Sequence, residues 1–440
     1  NVPPREERMA DSIPKSKWER GLCIGKTATK LGGKTLAYLS RKPFQTPGER
    51  IEGRKALNRE TAALLFQGLG LLRGTALKAA QLLSLEADVL PPELTEELKK
   101  SCHQAPPINR ALARKIVGNA LGKPPEELFR RFDGQAFAAA SLGQVHRAVA
   151  RDGQELAVKL QYPGIRETIE SDMQLMRSAT WPLPDRRLLA AVLEEIEARL
   201  LEEVDYRREQ ENMAFFRAGL RQEPVLIPKC REELSTDTVL AAEYLSGKPL
   251  VEWLETGPGQ DQRDRVAQTL QDFFVSGLYR LHGIHADPNP GNFLVFPDLT
   301  VGVVDFGCVK HFDPCFVALY SKLPATAVNG GRKEYLSLLA GFQGDASPVS
   351  AEIEQRLFEE LQATGQWISR LYREKTFDFR ENPDFIPAGK HRMCAALKMR
   401  THMDLNPQFI FLHRTRYGLL RLFERMGARV SFRNPHEYME

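Results

Sequence analysis

The period of the apolar residues changes several times along the chain, and each change predicts a new element. From Ile51 to Asp88 the spacing is helical: Leu65, Leu69, Leu72, Ala76, Ala79 and Leu83 form one stripe, and Leu64, Leu71 and Leu82 a second. A segment apolar on two sides packs against more than one neighbour. Pro91-Pro92 opens another helix, and residues 108–131 supply a third helical stretch. At Phe137 the period falls to two. Phe137–Ala150 and Glu155–Leu160 read as strands joined by the turn Arg151-Asp152-Gly153. Residues 186–218 then read as one long amphipathic helix, with Leu189, Val192, Ile196, Leu200 and Val204 on one side. Val225–Ile227 and Thr238–Ala242 are further strands. Val266, Leu270, Phe273, Phe274, Leu278 and Leu281 carry a helix up to His282, after which Pro288 and Pro290 forbid it. Phe293–Phe296 and Val301–Val304 are short strands separated by Pro297-Asp298. Beyond Gly307 the pattern is mostly helical to about Met426, with breaks at Asn329–Gly331, Asp345–Pro348 and Asn382–Gly389. No internal repeat interrupts this order.

Composition adds limits. A chain of 440 residues that is 42% hydrophobic and 27% charged buries a large core, in two or three packed subdomains. Its formal charge of +4 is small but uneven. Residues 1–60 hold 14 Lys/Arg against 7 Asp/Glu, or +7, which leaves 47 against 50, or −3, for the rest. With Pro3-Pro4, Pro14 and Pro47-Gly48 as breakers, residues 1–50 read as a basic, loosely ordered arm. Such an arm suits an anionic membrane surface or a partner better than base-specific reading of nucleic acid. A solvated arm with no partner is the alternative. Six scattered cysteines without a CxxC pair indicate a reducing compartment. No apolar run approaches the roughly 20 residues of a spanning helix, and no secretory signal is expected.

The candidate chemistry lies in residues 281–307, LHGIHADPNPGNFLVFPDLTVGVVDFG. Asp287 and Asn292 are five residues apart, and Asp305 follows thirteen later. Phosphoryl transfer needs a carboxylate near the attacking hydroxyl or water, and hard oxygen ligands that hold Mg²⁺ against nucleotide phosphates. Protein kinases order an H-x-D, an Asn and a D-F-G in this way; here the matching residues are His285-Ala286-Asp287, Asn292 and Asp305-Phe306-Gly307. A proline-rich connector before an ordinary hairpin is the bland alternative. His282 and His285 lack a cysteine or carboxylate cluster at ligand spacing, so they read as a helix-end and a loop-orienting residue. In the V-A-x-K strand, Lys159 matches the phosphate-anchoring lysine, and Glu209 is the expected helix partner that orients it. The turn before that strand should be the nucleotide loop, yet it carries Ala138, Ala139 and Ala140 where kinases use glycine. Alanine resists positive φ, which leaves Ser141, Gly143 and the loop amides as phosphate contacts. Glu243-Tyr244-Leu245 makes the expected hinge to a second lobe.

These motifs resemble one family, the UbiB (AarF) family of atypical protein-kinase-like proteins, over roughly residues 60–425. The resemblance rests on FAAASLGQVHRA at 137–148, AVKLQYPG at 157–164, EVDYRREQEN at 203–212, HADPNPGNFL at 285–294 and VDFG at 304–307. It implies an α+β, bilobal protein-kinase-like fold with an N-terminal helical extension and additional C-terminal helices. The expected segments are a basic arm at 1–50, the extension at 51–132, a kinase-like N-lobe at 133–245 and a C-lobe at 246–440. It implies ATP and Mg²⁺ as cofactors, with Lys159 on the α/β-phosphates, Glu209 paired to it, Asn292 and Asp305 on the metal, and Asp287 in the base position. Glu243 and Leu245 would meet the nucleotide at the hinge. Family members support ubiquinone or other isoprenoid-quinone biosynthesis. The partners implied are a lipophilic quinone precursor or other lipid, quinone-biosynthesis proteins and a membrane surface, but no nucleic acid. The location implied is the bacterial inner membrane, peripherally, or the cytoplasm; the matrix side of the mitochondrial inner membrane is the alternative. The family's K-x-G-Q motif matches Lys78-Ala79-Ala80-Gln81, with alanine in place of glycine. Lys78 and Gln81 would face Glu203 and Asp205 of the E-x-D motif and form a lid that excludes peptides. Two other readings stay open: a small-molecule kinase of the aminoglycoside or choline type, and a pseudokinase scaffold that binds nucleotide and lipid without turnover.

The charge asymmetry is directly testable. Each basic residue of the arm that reaches an anionic bilayer adds on the order of 1 kcal/mol of attraction. Removal of residues 1–50 is expected to weaken cosedimentation with anionic vesicles and to flatten its salt dependence. Equal cosedimentation of both chains would place any membrane contact elsewhere.

Overall fold

Alternation of apolar residues between Phe129 and Glu243 builds a sheet whose two faces have different uses. The computed structural model describes residues 108–437 except 141, 181–185, 221–223, 330–331, 343–350 and 400–406, with Ser40, Thr46, Gly48, Glu49, Glu52 and Gly53 before them. The expected arm and most of the expected extension, including Lys78 and Gln81, lie outside the described residues. The chain divides into two compact units, residues 1–106 with 162–201, and residues 107–161 with 202–440. In the first unit the described elements are the helix α3 (Ile165–Thr180) and most of α4 (Arg186–Glu203). Arg177 of α3 forms an ion pair with Glu197 of α4.

The second unit carries the sheet. Helices α1 (Arg110–Leu121) and α2 (Pro125–Leu128) precede β1 (Phe129–Ala140), β2 (Gly143–Ala150) and β3 (Glu155–Gln161). The third helical stretch expected at 108–131 therefore ends early. Gly122, left-handed at φ 72°, caps α1, α2 is a single turn, and the chain is extended from Phe129. After α5 (Tyr206–Gly219) and β4 (Val225–Leu226), the strand β5 (Val239–Glu243) completes an antiparallel sheet in the order β1-β2-β3-β5. Leu156, Val158 and Leu160 of β3 join Ala113 and Val117 of α1, with Val239 and Ala241 of β5, in one buried core. Because side chains alternate across a strand, Ala157 and Lys159 point to the other face. Gly153, at φ 94°, makes the β2–β3 turn where sequence pattern placed it.

Residues 186–218 do not form one helix. The break is at Val204-Asp205, where Asp205 leaves helical geometry (φ −103°, ψ 84°) and its carboxylate accepts from the Arg208 amide at 3.1 Å. The carbonyl of Val204, freed by the break, accepts from Gln161 Nε2 at 2.8 Å. A side chain that competes for the backbone wins here because a cap and a cross-strand donor satisfy both severed ends.

The rest of the unit is built on α7 (Gln260–Leu281), which follows β6 (Lys248–Pro249) and α6 (Leu250–Glu255). Its buried face, including Val266, Leu270, Phe273, Phe274 and Leu278, belongs to a second large core. His282, left-handed at φ 53°, ends the helix as expected. Then come β7 (Gly283–His285), β8 (Phe293–Val295), β9 (Val301–Val303) and β10 (Val309–His311). β7 pairs with β10, and the order β4-β9-β8-β6 makes a second four-stranded sheet. Helices α8 (Pro314–Tyr320), α9 (Leu323–Asn329), α10 (Arg332–Ala340), α11 (Ala351–Arg373), α12 (Phe385–Met399) and α13 (Pro407–Met426) follow, with the short pair β11 (Phe377–Asp378) and β12 (Arg429–Val430). The break expected at 382–389 closes earlier, because Pro387 sits in the first turn of α12, where its missing N–H is not needed.

The break at Asp205 has a measurable value. Asp205→Ala removes a helix cap and is expected to destabilise the chain by about 1 kcal/mol, whereas Asp205→Ser, which can still cap, loses only a fraction of that. Equal losses in denaturant unfolding would mean that the cap is not what holds α5.

Candidate active site

The face of β3 opposite the α1 core opens onto a cavity of about 470 Å³. Val145, Ala157, Leu240 and Leu294 give it apolar walls, and Lys159, Glu209, Asn292 and Asp305 converge at a polar end. Strand periodicity puts Lys159 there. Glu209 arrives from the first turn of α5, which is oriented by the Asp205 cap. The Lys159 ammonium donates to both Glu209 oxygens, at 3.1 and 2.9 Å, and lies 3.4 Å from Asp305 Oδ1. Glu209 is 2% exposed, Lys159 14% and Asp305 25%, so the carboxylate nearest the opening is Asp305. The Tyr206 ring lies 5.1 Å from the same ammonium.

Asp305 occupies an unusual backbone. Its φ is 64°, a region that costs a non-glycine residue of order 1–3 kcal/mol unless its surroundings impose it. They do. His285 donates from Nε2 to the Asp305 carbonyl at 2.9 Å, and Asn212 donates to the Phe306 carbonyl at 2.9 Å. Phe306 is fully buried, against Phe216 and the edge of His285. The Ala286 amide donates to the Cys308 carbonyl. In the neighbouring loop, Asn292 donates from Nδ2 to the carbonyl and the carboxylate of Asp287, each at 3.2 Å, while its own carbonyl accepts from Val304. The loops that carry Asp287, Asn292 and Asp305 are thus one hydrogen-bonded assembly.

One cation serves several carboxylates. Burial alone would lower the Lys159 pKa, but Asp305, Glu209 and Glu203 hold it well above the ordinary lysine value. Burial pushes Glu209 up to about 7, against the pull of Lys159. The polar end therefore carries more negative than positive charge, which suits an added cation and opposes a bare anion. Among the described residues no group of three or more His, Cys, Asp or Glu is placed to hold a metal ion by itself. Asn292 and Asp305 fit Mg²⁺ in the way that ion is usually bound, through one or two protein oxygens completed by phosphates and water.

Comparison with known proteins places this geometry. Residues 100–339 match the ABC1 atypical kinase-like domain. The chain belongs to that family. It is 31% identical to the mitochondrial atypical kinase COQ8B of Rattus norvegicus, over 81% of this chain and 70% of that one. It is 28% identical to the mitochondrial atypical kinase COQ8 of Saccharomyces cerevisiae, over 82% and 72%. The structure of Rv3197 from Mycobacterium tuberculosis in complex with erythromycin shares 26% identity at a TM-score of 0.60, covering 87% of this chain and 96% of that one. The α+β, kinase-like architecture is the family's.

In this ABC1 kinase-like chain the sequence-predicted residues fall into three groups. Lys159, Glu209, Asp305 and Asn292 meet in the cavity, and Asn292 brings Asp287 to its edge. Ala138, Ala139 and Ala140 also line the cavity, but as strand residues of β1 paired with Val145, Gln144 and Gly143, rather than as the expected loop. Cross-strand pairing, not the reluctance of alanine toward positive φ, keeps them extended. Glu243 and Leu245 also line the cavity. The Glu243 carboxylate is committed to Gln154 Nε2 and the Lys229 amide, at 3.0 and 2.9 Å. Two further residues have other contacts in the structure. Gly143 does not line the cavity; a Cβ there would come within 2.2 Å of the Leu160 carbonyl, so glycine serves the β2–β3 contact. Asp205 caps α5, while Glu203 lies buried close enough to influence Lys159. Ser141, Lys78 and Gln81 are outside the described residues.

Pattern reading missed three contributors. Asn212 stands three residues after Glu209, hence on the same helix face, and that spacing was the available signal. Tyr206, three residues before Glu209, had the same signal. Arg147, by contrast, stacks over Phe137 and Tyr244 at the cavity rim, at 5.4 and 4.2 Å from the ring centroids, and its contact with Tyr244 joins positions 97 apart, which no local pattern shows.

Breaking a buried pair by removing one partner typically costs about 3–5 kcal/mol, so Lys159→Met is expected to destabilise the chain strongly at pH 8. A carboxyl whose folded pKa lies above its unfolded value binds its proton first in the folded state, so its burden on stability lifts as pH falls. With Glu209 titrating near 7 in the parent and higher without its lysine, the penalty should shrink between pH 8 and pH 5.5. Lys159→Met/Glu209→Gln should recover most of the loss at pH 8. Equal penalties at both pH values in denaturant unfolding would exclude the ion pair as the cause.

Proposed function

We propose that this chain is an atypical kinase-like ATPase that binds Mg-ATP in the cavity and supports ubiquinone or other isoprenoid-quinone biosynthesis at a membrane surface, by acting on or extracting a lipophilic precursor. The observation that carries the reading is the convergence of Lys159, Glu209, Asn292 and Asp305 at the polar end of one apolar-walled cavity, with Asp287 tied to Asn292. In this reading Lys159, oriented by Glu209, contacts the α- and β-phosphates, and Asn292 and Asp305 hold Mg²⁺. The ion supplies charge neutralisation for the transferring phosphoryl group. The apolar walls take the base, and the Asp287 carboxylate orients the attacking hydroxyl or water and accepts its proton.

The lipid side rests on kinship and chemistry. The relatives named above are mitochondrial atypical kinases, and a 32% identical relative in Arabidopsis thaliana is named a chloroplastic kinase. A structural relative, Rv3197, was solved in complex with erythromycin. Among the described residues no helix is long and apolar enough to cross a membrane. We place the chain peripherally at a bacterial inner membrane or at the matrix face of the mitochondrial one, with quinone-biosynthesis proteins as partners.

Asp305→Asn keeps the size of the side chain and removes its charge. ATP affinity in the presence of Mg²⁺ should fall at least tenfold, while metal-free binding stays within a factor of about two, because the ammonium of Lys159 remains. Phosphate release by the parent should rise when a lipid-like phenol is added. Unchanged Mg-dependent affinity in the variant would overturn the metal assignment, and a parent without phosphate release would leave a nucleotide-binding scaffold.

A further inference from the structure

The loop that bears Asp287 has a support of its own, in a part of the chain far away in sequence. Pro288 follows Asp287 directly and packs against Gly418 in the middle of α13. A Cβ at position 418 would lie 2.4 Å from Pro288 Cγ, 3.5 Å from its Cβ and 3.7 Å from its Cδ. A pyrrolidine ring cannot rotate out of the way as a long side chain can. Any side chain at 418 must therefore displace either the loop or the helix.

The helix is held in place. Two residues before Gly418, the buried guanidinium of Arg416 forms a pair with the buried Glu437 carboxylate, at 3.0 and 3.1 Å, and also donates to the hydroxyls of Tyr320 and Tyr372. Glu437 accepts in addition from Tyr279 of α7 at 2.8 Å and from Asn434 at 3.1 Å. One residue before Gly418, the Tyr417 hydroxyl donates to the Ile386 carbonyl of α12. After it, Leu419, Leu420, Leu422 and Phe423 are all buried. With α13 anchored on both sides of Gly418, the softer element is the loop. Pro288 and Pro290 lack amide donors, and the loop is held to itself by a short turn in which the Asn292 amide donates to the Asn289 carbonyl, by Asn292 to Asp287 and by Asn289 to the Gly291 amide.

We infer that Gly418 is a positioning residue for Asp287. The packing of Pro288 on Gly418, which leaves no room for a Cβ, lets α13, clamped through Arg416 by residues 434–437, serve as the rear wall that sets where the Asp287 carboxylate stands. The inference rests on the reading of Asp287 as the group that meets the attacking hydroxyl or water.

Gly418→Ala separates this role from a structural one, because the two act in opposite directions on stability. Glycine is among the least favoured residues inside a helix and alanine the most favoured. If the site simply had room, the variant would gain thermal stability and keep its rate. Positioning predicts that kcat for Mg-ATP hydrolysis falls at least tenfold and by much more than KM for Mg-ATP rises, since Lys159, Glu209 and Asp305 are untouched and only Asn292 of the nucleotide and metal contacts shares the loop. Pro288→Ala, which removes the ring carbon, should restore most of the lost kcat when combined with Gly418→Ala. An unchanged kcat, an equal loss through KM, or a double variant no faster than the single one would each overturn the inference. Amide exchange gives a reading independent of turnover: Gly418→Ala should speed exchange in 284–292 and leave 365–373 as in the parent. If the parent releases no phosphate, the ATPase reading fails, and exchange decides the inference alone. Unaltered exchange in 284–292, or acceleration in both segments, would refute it.

Discussion

Most of the site depends on one buried ammonium that is asked to neutralise more than one carboxylate. Lys159 contacts both Glu209 oxygens and lies within 3.4 Å of Asp305, with Glu203 acting from farther away. Burying a charge is tolerable only when a partner offsets the lost hydration, so the strand that carries the lysine and the helix that carries Glu209 are bound to each other by that requirement. The surplus of negative charge is also functional in character. It leaves Asp305, the most exposed of the set, available to a second cation, and a site already neutral would have no such appetite.

A second constraint is backbone strain held by redundancy. Asp305 stands at positive φ because His285, Asn212 and the buried Phe306 fix the peptide units around it from three directions. A carboxylate held in this way presents its oxygens at a defined place without a search among rotamers, and such preorganisation is what electrostatic catalysis requires. The contrast with Asp287 is instructive. Asn292 ties the Asp287 loop together, and part of its placement comes from the opposite side, through Pro288 and Gly418. Two carboxylates of one site are therefore fixed by different means, Asp305 through hydrogen bonds to the peptide units around it and Asp287 in part through the packing of its neighbour Pro288 on a distant helix.

The departures from expectation follow from competition between local and tertiary interactions. The apolar stripe through residues 186–204 is helical, but the Asp205 side chain caps a new helix, and Gln161 satisfies the carbonyl that the break exposes. Ala138–Ala140 look like a failed glycine loop when read alone. In the sheet they are ordinary strand residues, because β2 supplies the hydrogen bonds that a free loop would lack. Gly143 matches a phosphate-loop position by type, yet it is glycine because the Leu160 carbonyl leaves no room for a Cβ.

By itself the sequence determined most of the order of elements and singled out the candidate reacting groups. Strand alternation puts Lys159 opposite Leu156, Val158 and Leu160, and the spacing of Asp287, Asn292 and Asp305 announces phosphoryl chemistry, since both are local properties of short stretches. Asn212 and Tyr206 could also have been read from their distance to Glu209 along one helix face. What the tertiary structure alone decided is which residues share a charge, which carbonyl a side chain reaches, and where two backbones come too close for a Cβ. Arg147 over Tyr244 joins positions 97 apart, and Gly418 against Pro288 joins positions still farther apart. Such contacts leave no periodic trace, because a pattern records which face of an element is buried and not what it is buried against.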